Sequence, residues 1–152
     1  MKSSTKTSAA KCSLPAALDV MGERWSFLIL RGAFVGFSHF EQFQAELGIA
    51  RNILANRLSK MVTHGLMNRV GCSEDRRKVI YSLTPKGEAL LPVLIALRQW
   101  GERWENCGPS NPVLVDARDR RPIREICVLG VDGRVLAPCE LKWIDSSEVN
   151  QS

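Results

Sequence analysis

The 152-residue sequence predicts an α+β fold, mainly α: a winged helix-turn-helix with flanking dimerisation helices and a small C-terminal β-meander. Three observations predict it. A short helix, a turn at Gly48-Ile49 and a polar-faced helix succeed one another before Gly65. Two strand-like runs with a charged stretch between them follow at once. A long apolar-striped segment, residues 85–104, then gives way to alternating apolar and polar residues.

Taken in order, residues 1–11 are rich in Ser, Thr and Lys and read as a disordered arm. Ser13 is a plausible N-cap for SLPAALDVMG, with Pro15 in the first turn and Gly22 at the end. RWSFLILRGAF, residues 24–34, is a mostly buried helix with Trp25, Leu28 and Ile29 in its apolar surface. Ser38 caps a third helix in which Phe40, Phe43 and Leu47 share helical spacing and which Gly48 ends. In GIARNILANRLSKMVTHGL, residues 48–66, a wheel of about 100° per residue gathers Ile53, Leu54, Leu58, Met61 and Val62 on one side. Asn52, Ala55, Asn56 and Ser59 lie opposite, and this polar half calls for a partner.

LMNRVGC, residues 66–72, and KVIYSL, residues 78–83, read as strands joined by the turn-like SEDRR, residues 73–77. PKGEALLPVLIALRQWGERW, residues 85–104, reads as one long helix that Pro92 either kinks or begins. Its stripe of Leu90, Leu94, Leu97, Trp100 and Trp104 serves the core and a dimer partner alike. The tail reads as two or three strands turning at Asp119-Arg120 and Asp132-Gly133. Four segments result: the arm 1–11, a main domain 12–107, a β-rich extension 108–145 and a disordered end 146–152.

Charge narrows the function. The formal net charge is +5, and its excess is confined to the first half. Residues 38–84 carry seven bases against four acids, while the tail from residue 110 carries six against seven. A polyanion is therefore expected to dock on the first half. No apolar run reaches the roughly 18 residues that span a bilayer, and the start has no signal-peptide core, so a cytoplasmic location without membrane contact is expected. Five scattered cysteines, Cys12, Cys72, Cys107, Cys127 and Cys139, argue against a disulfide framework.

A groove-reading helix needs side chains that reach base edges near its N-terminus. Arg51 suits a bidentate contact to guanine, and Asn52 or Asn56 suits adenine; the alternatives are solvated side chains or phosphate contacts. Arg57 falls inside the apolar arc, which favours an internal salt bridge or a phosphate contact at the flank over base reading. Ser59 and Lys60 lie further along and would serve phosphates. At the hairpin tip Arg76 and Arg77 are candidates for minor-groove or backbone contact, with a solvated tip beside Glu74 and Asp75 as the alternative. Ser38 and His39 could meet a phosphate through helix-start amides.

The ordered landmarks CSLPAALDVMGERWSFLILR, FEQFQAELGIARNILANRLSKMVTHGLMNR, YSLTPKGEALLPVL and WGERW, from about Cys12 to Trp104, resemble those of HxlR-type winged-helix transcriptional regulators. The resemblance implies a homodimer, built from the N-terminal helices and the 85–104 helix, that binds palindromic double-stranded DNA and usually regulates nearby genes. It also implies a sensor role for Cys12, since a cysteine at this position serves some members in redox or electrophile sensing. A thiol before a helix start and beside Lys11 is favoured as the reactive thiolate, which fits that role; a small residue without a switching part is the alternative. The departures are the extension after residue 109 and Ala50, where many relatives carry a hydroxyl. A small-molecule effector is a further expectation.

No cofactor or metal site is expected: the sequence has no CxxC and only His39 and His64 as histidines. No nucleophile has an evident base, so no enzyme is expected. The competing reading is a winged-helix protein-interaction module without specific DNA binding, and a more remote one is an enzyme built on Cys12. Polar Asn52 and Asn56 with Arg76 and Arg77 favour DNA over a protein partner, which would call for more aromatic surface.

Overall fold

A computed structural model of the chain describes residues 12–71, 75, 78–105 and 108–149. Its elements are α1 (Leu14–Met21), α2 (Arg24–Val35), α3 (Phe40–Leu47), α4 (Arg51–Thr63), β1 (Met67–Gly71), β2 (Val79–Leu83), α5 (Pro85–Glu88) and α6 (Leu91–Trp104). The chain forms two compact units that divide inside α6, between Leu94 and Ile95.

In the first unit, glycine sets the helix ends. Gly36 and Gly48 take left-handed conformations, φ 109° and 60°, and their amides close the last turns of α2 and α3 onto Ala33 and Gln44. The core runs through Ile29 and Leu30 of α2, Phe43 of α3, Ile49 in the turn, and Leu54, Leu58 and Met61 of α4. Leu66, Met67 and Tyr81 extend it beneath the hairpin. There β1 and β2 pair antiparallel, Met67 opposite Leu83 and Gly71 opposite Val79.

Several expectations change. Ser38 is not the cap of α3: His39 holds that position, and the Ser38 amide donates to Gln42 Oε1 at 3.1 Å. Ser13 does stand at the N-cap of α1, but its side chain makes no capping hydrogen bond. Ile53 is 37% exposed rather than buried, because the apolar arc of α4 centres on Leu54, Leu58 and Met61. The single helix expected over 85–104 is two. Pro92 stands in the first turn of α6, where its missing amide costs nothing, and the chain breaks between Glu88 and Leu91.

The second unit contains the rest of α6 and the extension. Its first part lies along one side of α6: Gln99 accepts from the Ile126 amide at 2.8 Å and donates to the Arg124 carbonyl at 3.1 Å. Glu102 accepts from Arg98 and from the Ser110 amide, and Arg103 pairs with Glu125 at 3.1 Å. These bonds tie residues 110–126 to the second half of α6. The two turns fall where the sequence put them, with Arg120 at φ 58° and Gly133 at φ 80°. The expected strand ladders are reduced to single bridges, Val115 opposite Pro122 and Leu129 opposite Val135. Pro122 has no amide to continue the first, and short 3₁₀ turns at Pro138–Glu140 and Ser146–Glu148 replace any later strand among the described residues.

Glu102 also carries a pH dependence. Side-chain and backbone hydrogen bonds from Ser110, and then Arg98, hold its carboxyl below the ordinary value of 4.5. A lowered carboxyl contributes its hold above the ordinary value and loses it as pH falls through the lowered one. As pH falls through the lowered carboxyl value, the protection factor of the Ser110 amide, corrected for intrinsic exchange, should therefore drop while the α4 core amides keep theirs. Equal protection of Ser110 at neutral and acid pH would contradict this.

Gly87 is the tightest point. A Cβ there would lie 2.2 Å from the Leu66 carbonyl oxygen, a contact with backbone that no side-chain rotation relieves. Gly87→Ala should therefore lower stability by about 1–3 kcal/mol, read as a lower urea midpoint at unchanged slope. An unchanged midpoint would show that α5 shifts without cost.

Candidate nucleic-acid interface

The interface is built on α4, and the first question is what holds that helix in place. Its inner side is the core row Leu54, Leu58 and Met61. Its C-terminal end is held from residues 84–87. The Lys86 ammonium donates to the His64 carbonyl at 2.7 Å, and the Thr84 hydroxyl donates to the Gly65 carbonyl at 2.5 Å. The Thr84 amide donates to the Leu66 carbonyl at 3.0 Å, while the Thr84 oxygen accepts from the Gly87 amide and caps α5. A cation on the last carbonyls also answers the negative end of the helix dipole. His64 thus ends α4, with its backbone as the working part.

The outer side carries Arg51, Asn52, Asn56, Ser59 and Lys60, all exposed. Arg51 opens the helix, and its guanidinium lies over the Phe40 ring of α3, 4.8 Å from the centroid. Stacking on an aromatic face narrows the range of guanidinium positions at no cost in hydrogen-bond donors. Ala50 at the N-cap offers no side-chain oxygen, so no side chain caps the first-turn amides of α4. Those amides and Arg51 make the N-terminal end of α4 suited to an anion.

Arg57 stands apart from this row. Its side chain is only 16% exposed, and its guanidinium pairs with Glu23, the N-cap residue of α2. Of the roles the sequence left open, the internal salt bridge is the one this structure displays. Its Nε is buried without a partner, which raises the cost of disturbing the pair.

Ser38 and His39, at the start of α3, lie alongside the middle of β2. The Ser38 carbonyl accepts from the Tyr81 amide at 2.8 Å, and His39 bridges Ile80. Ser38 Oγ and His39 Nδ1 are 3.0 Å apart. The Ser38 amide donates to Gln42 Oε1, so a phosphate would compete with that side chain for it. The His39 imidazole stays exposed. Arg76 and Arg77 lie outside the described residues, as do Cys72 and Cys107. Arg69 and Lys78 flank the tip from the exposed surface of the two arms.

Cys12 is exposed, one residue before the N-cap of α1. Cys127 and Cys139 are exposed as well, so neither fills apolar space. Among the described residues no His, Cys, Asp or Glu cluster could hold a metal, and no helix is long and apolar enough to cross a membrane.

Phe40, Lys86, Thr84 and Glu23 are the supporting residues that sequence reasoning passed over. The pattern Thr84-Pro85-Lys86-Gly87 held the signal for two of them, a capping hydroxyl before a proline-started turn. Nothing in the sequence pairs Glu23 with Arg57 or Phe40 with Arg51.

The family model described as HxlR-like helix-turn-helix matches residues 20–108, which is most of the chain and all of the interface. The chain belongs to that family. A Mycobacterium tuberculosis HTH-type transcriptional regulator, Rv3095, is 42% identical over 92 residues, 60% of this chain and 58% of that protein. This chain thus spans little more than half the length of that relative. The Bacillus subtilis HTH-type transcriptional regulator YodB is 30% identical over 101 residues, 66% of this chain and 88% of YodB. Among solved structures, PA1607, named as a candidate transcription factor, superposes with a TM-score of 0.82 at 40% identity, covering 90% of this chain and 96% of that one. That span takes in much of the extension. Together these matches give the chain the winged helix-turn-helix fold of that family.

The Arg51–Phe40 stack gives a direct test. Phe40→Leu keeps an apolar side chain on α3 but removes the ring face, and should weaken binding to a specific site by about 0.5–1 kcal/mol in anisotropy titrations. Combining it with Arg51→Ala should add nothing further; full additivity would show that the ring does not act through Arg51.

Proposed function

We propose that the protein is a homodimeric, sequence-specific regulator, acting as a repressor of nearby genes, that inserts α4 into the major groove of a palindromic operator. The observation that carries this reading is the exposed row Arg51, Asn52 and Asn56 on a helix fixed at its far end by Lys86 and Thr84. Arg51 and the two asparagines read bases; Lys60, Arg76 and Arg77 position the protein on phosphates. Residues 12–107 form the DNA-binding and dimerising part, residues 108–145 the extension, and the protein works in the cytoplasm.

Two helices supply the dimer contact in this reading. Leu14 and Leu18 of α1 are exposed, and so are Val93, Leu97, Trp100 and Trp104 of α6. Rows of large apolar side chains left in water favour a partner. Cys12 lies next to the α1 row, so its oxidation or alkylation would act where the dimer forms and change the separation of the two α4 helices. Support comes from YodB, a relative solved in a reduced form and after diamide treatment. A small apolar effector has a place too: an open groove of about 580 Å³ in the first unit is lined by Phe34, Phe37, Tyr81, Leu83 and Glu88.

The test is binding of the full chain to its own upstream DNA against random DNA. Arg51→Ala should cost roughly 1–3 kcal/mol on the specific site and relax one base position. Arg77→Ala should weaken both DNAs alike and flatten the dependence of affinity on salt. Equal losses of both variants on both DNAs would remove the division between reading and positioning. Binding to both without preference or salt dependence would favour the protein-interaction module instead.

A further inference from the structure

Most of the exposed large apolar side chains among the described residues lie in the second unit. Ile95, at its start, is the one described residue of that unit that is buried. Yet the extension is not an unstructured polar tail. Its turns are closed by Asp116 and Asp132, which accept from the Arg118 and Arg134 amides, and its reversals are fixed at Arg120 and Gly133. A segment with defined turns and a large apolar content, but no core, is half of an interface.

We infer that residues 126–144 are an arm that packs against a second copy of this chain and contributes a principal share of the dimer contact. Ile126, Val128, Leu129, Val131, Trp143 and Ile144 are its contact residues, all exposed in the single chain, with Trp143 at 95%. Three observations choose a second copy over other occupants. The first is area: these six side chains present on the order of 600–800 Å² of apolar surface, comparable with the roughly 800 Å² each partner gives to a stable interface. The second is continuity: Gln99 and Arg103 on α6 hold residues 124–126, so the arm leaves from the same helix that exposes Leu97, Trp100 and Trp104. The third is charge. Within residues 126–144 two acids balance two bases, and Arg134 pairs with both Asp132 and Glu140, so the arm carries no net charge. A surface neutralised in this way gives no pull toward nucleic acid and no repulsion from its own copy.

This inference rests on the homodimer proposed above and adds the arm to it. The test uses no DNA: the self-association constant of the full chain is measured by analytical ultracentrifugation for the natural sequence and for Val131→Asp, Trp143→Asp and Leu18→Asp. The two arm variants change side chains that face solvent in the monomer, so the helical circular dichroism should not move. Each is expected to weaken self-association by at least about thirtyfold, the scale of losing an interface hot spot. In addition, the emission removed by Trp143→Phe should be that of a buried indole in the dimer. Arm variants that dimerise as the natural chain does, with Leu18→Asp monomeric, would overturn the arm while leaving the dimer reading intact. A natural chain that stays monomeric would overturn both.

Discussion

The end of α4 is the point on which the interface depends. A helix that is to read bases must present its N-terminal side chains at a fixed depth and angle, and its own core row fixes only rotation and height. The direction of the axis is set where Lys86 and Thr84 take the carbonyls of His64 and Gly65, and where Gly87 lets α5 approach the Leu66 carbonyl. One short stretch of chain thus satisfies the carbonyl end of α4, starts α5 and anchors the root of the hairpin, since β2 ends at Leu83, directly before Thr84.

A second constraint acts from the other side. Arg57 reaches from α4 to Glu23, which stands at the start of α2 and directly after the α1 turn at Gly22. Close packing supports the same junction: a Cβ on Gly32 would lie 2.6 Å from the Phe37 ring and 3.1 Å from Phe43. α4 is therefore tied to α2 by an ion pair, and α2 to α3 by a contact with little slack. A displacement of α1, the helix next to Cys12, has a short path to α4 through this pair.

Much of this was legible in the sequence. The succession of α3, turn, α4 and hairpin followed from periodicity and from Gly48; Asn52 and Asn56 followed from the wheel, and Arg51 from its place at the helix start. What stayed hidden depends on distance across the fold. The partner of Arg57 lies 34 positions away, which no local pattern reports. The cap of α3 shifted from Ser38 to His39 because Gln42 and Tyr81 compete for the Ser38 backbone. Pro92 was ambiguous because proline opens helices as readily as it bends them. In the extension, alternation predicted the turns but not the ladders, since bridge formation beyond one pair also needs amides that Pro122 cannot supply.

In the proposed regulator the helix α4, the apolar arm and the basic first half act together, so that the dimer grips DNA twice. A hydroxyl-radical footprint of the full chain on its own upstream DNA tests this most directly. The account predicts two protected patches of inverted sequence, centred about one helical turn (~34 Å) apart. A single protected patch, or uniform protection without boundaries, would contradict it.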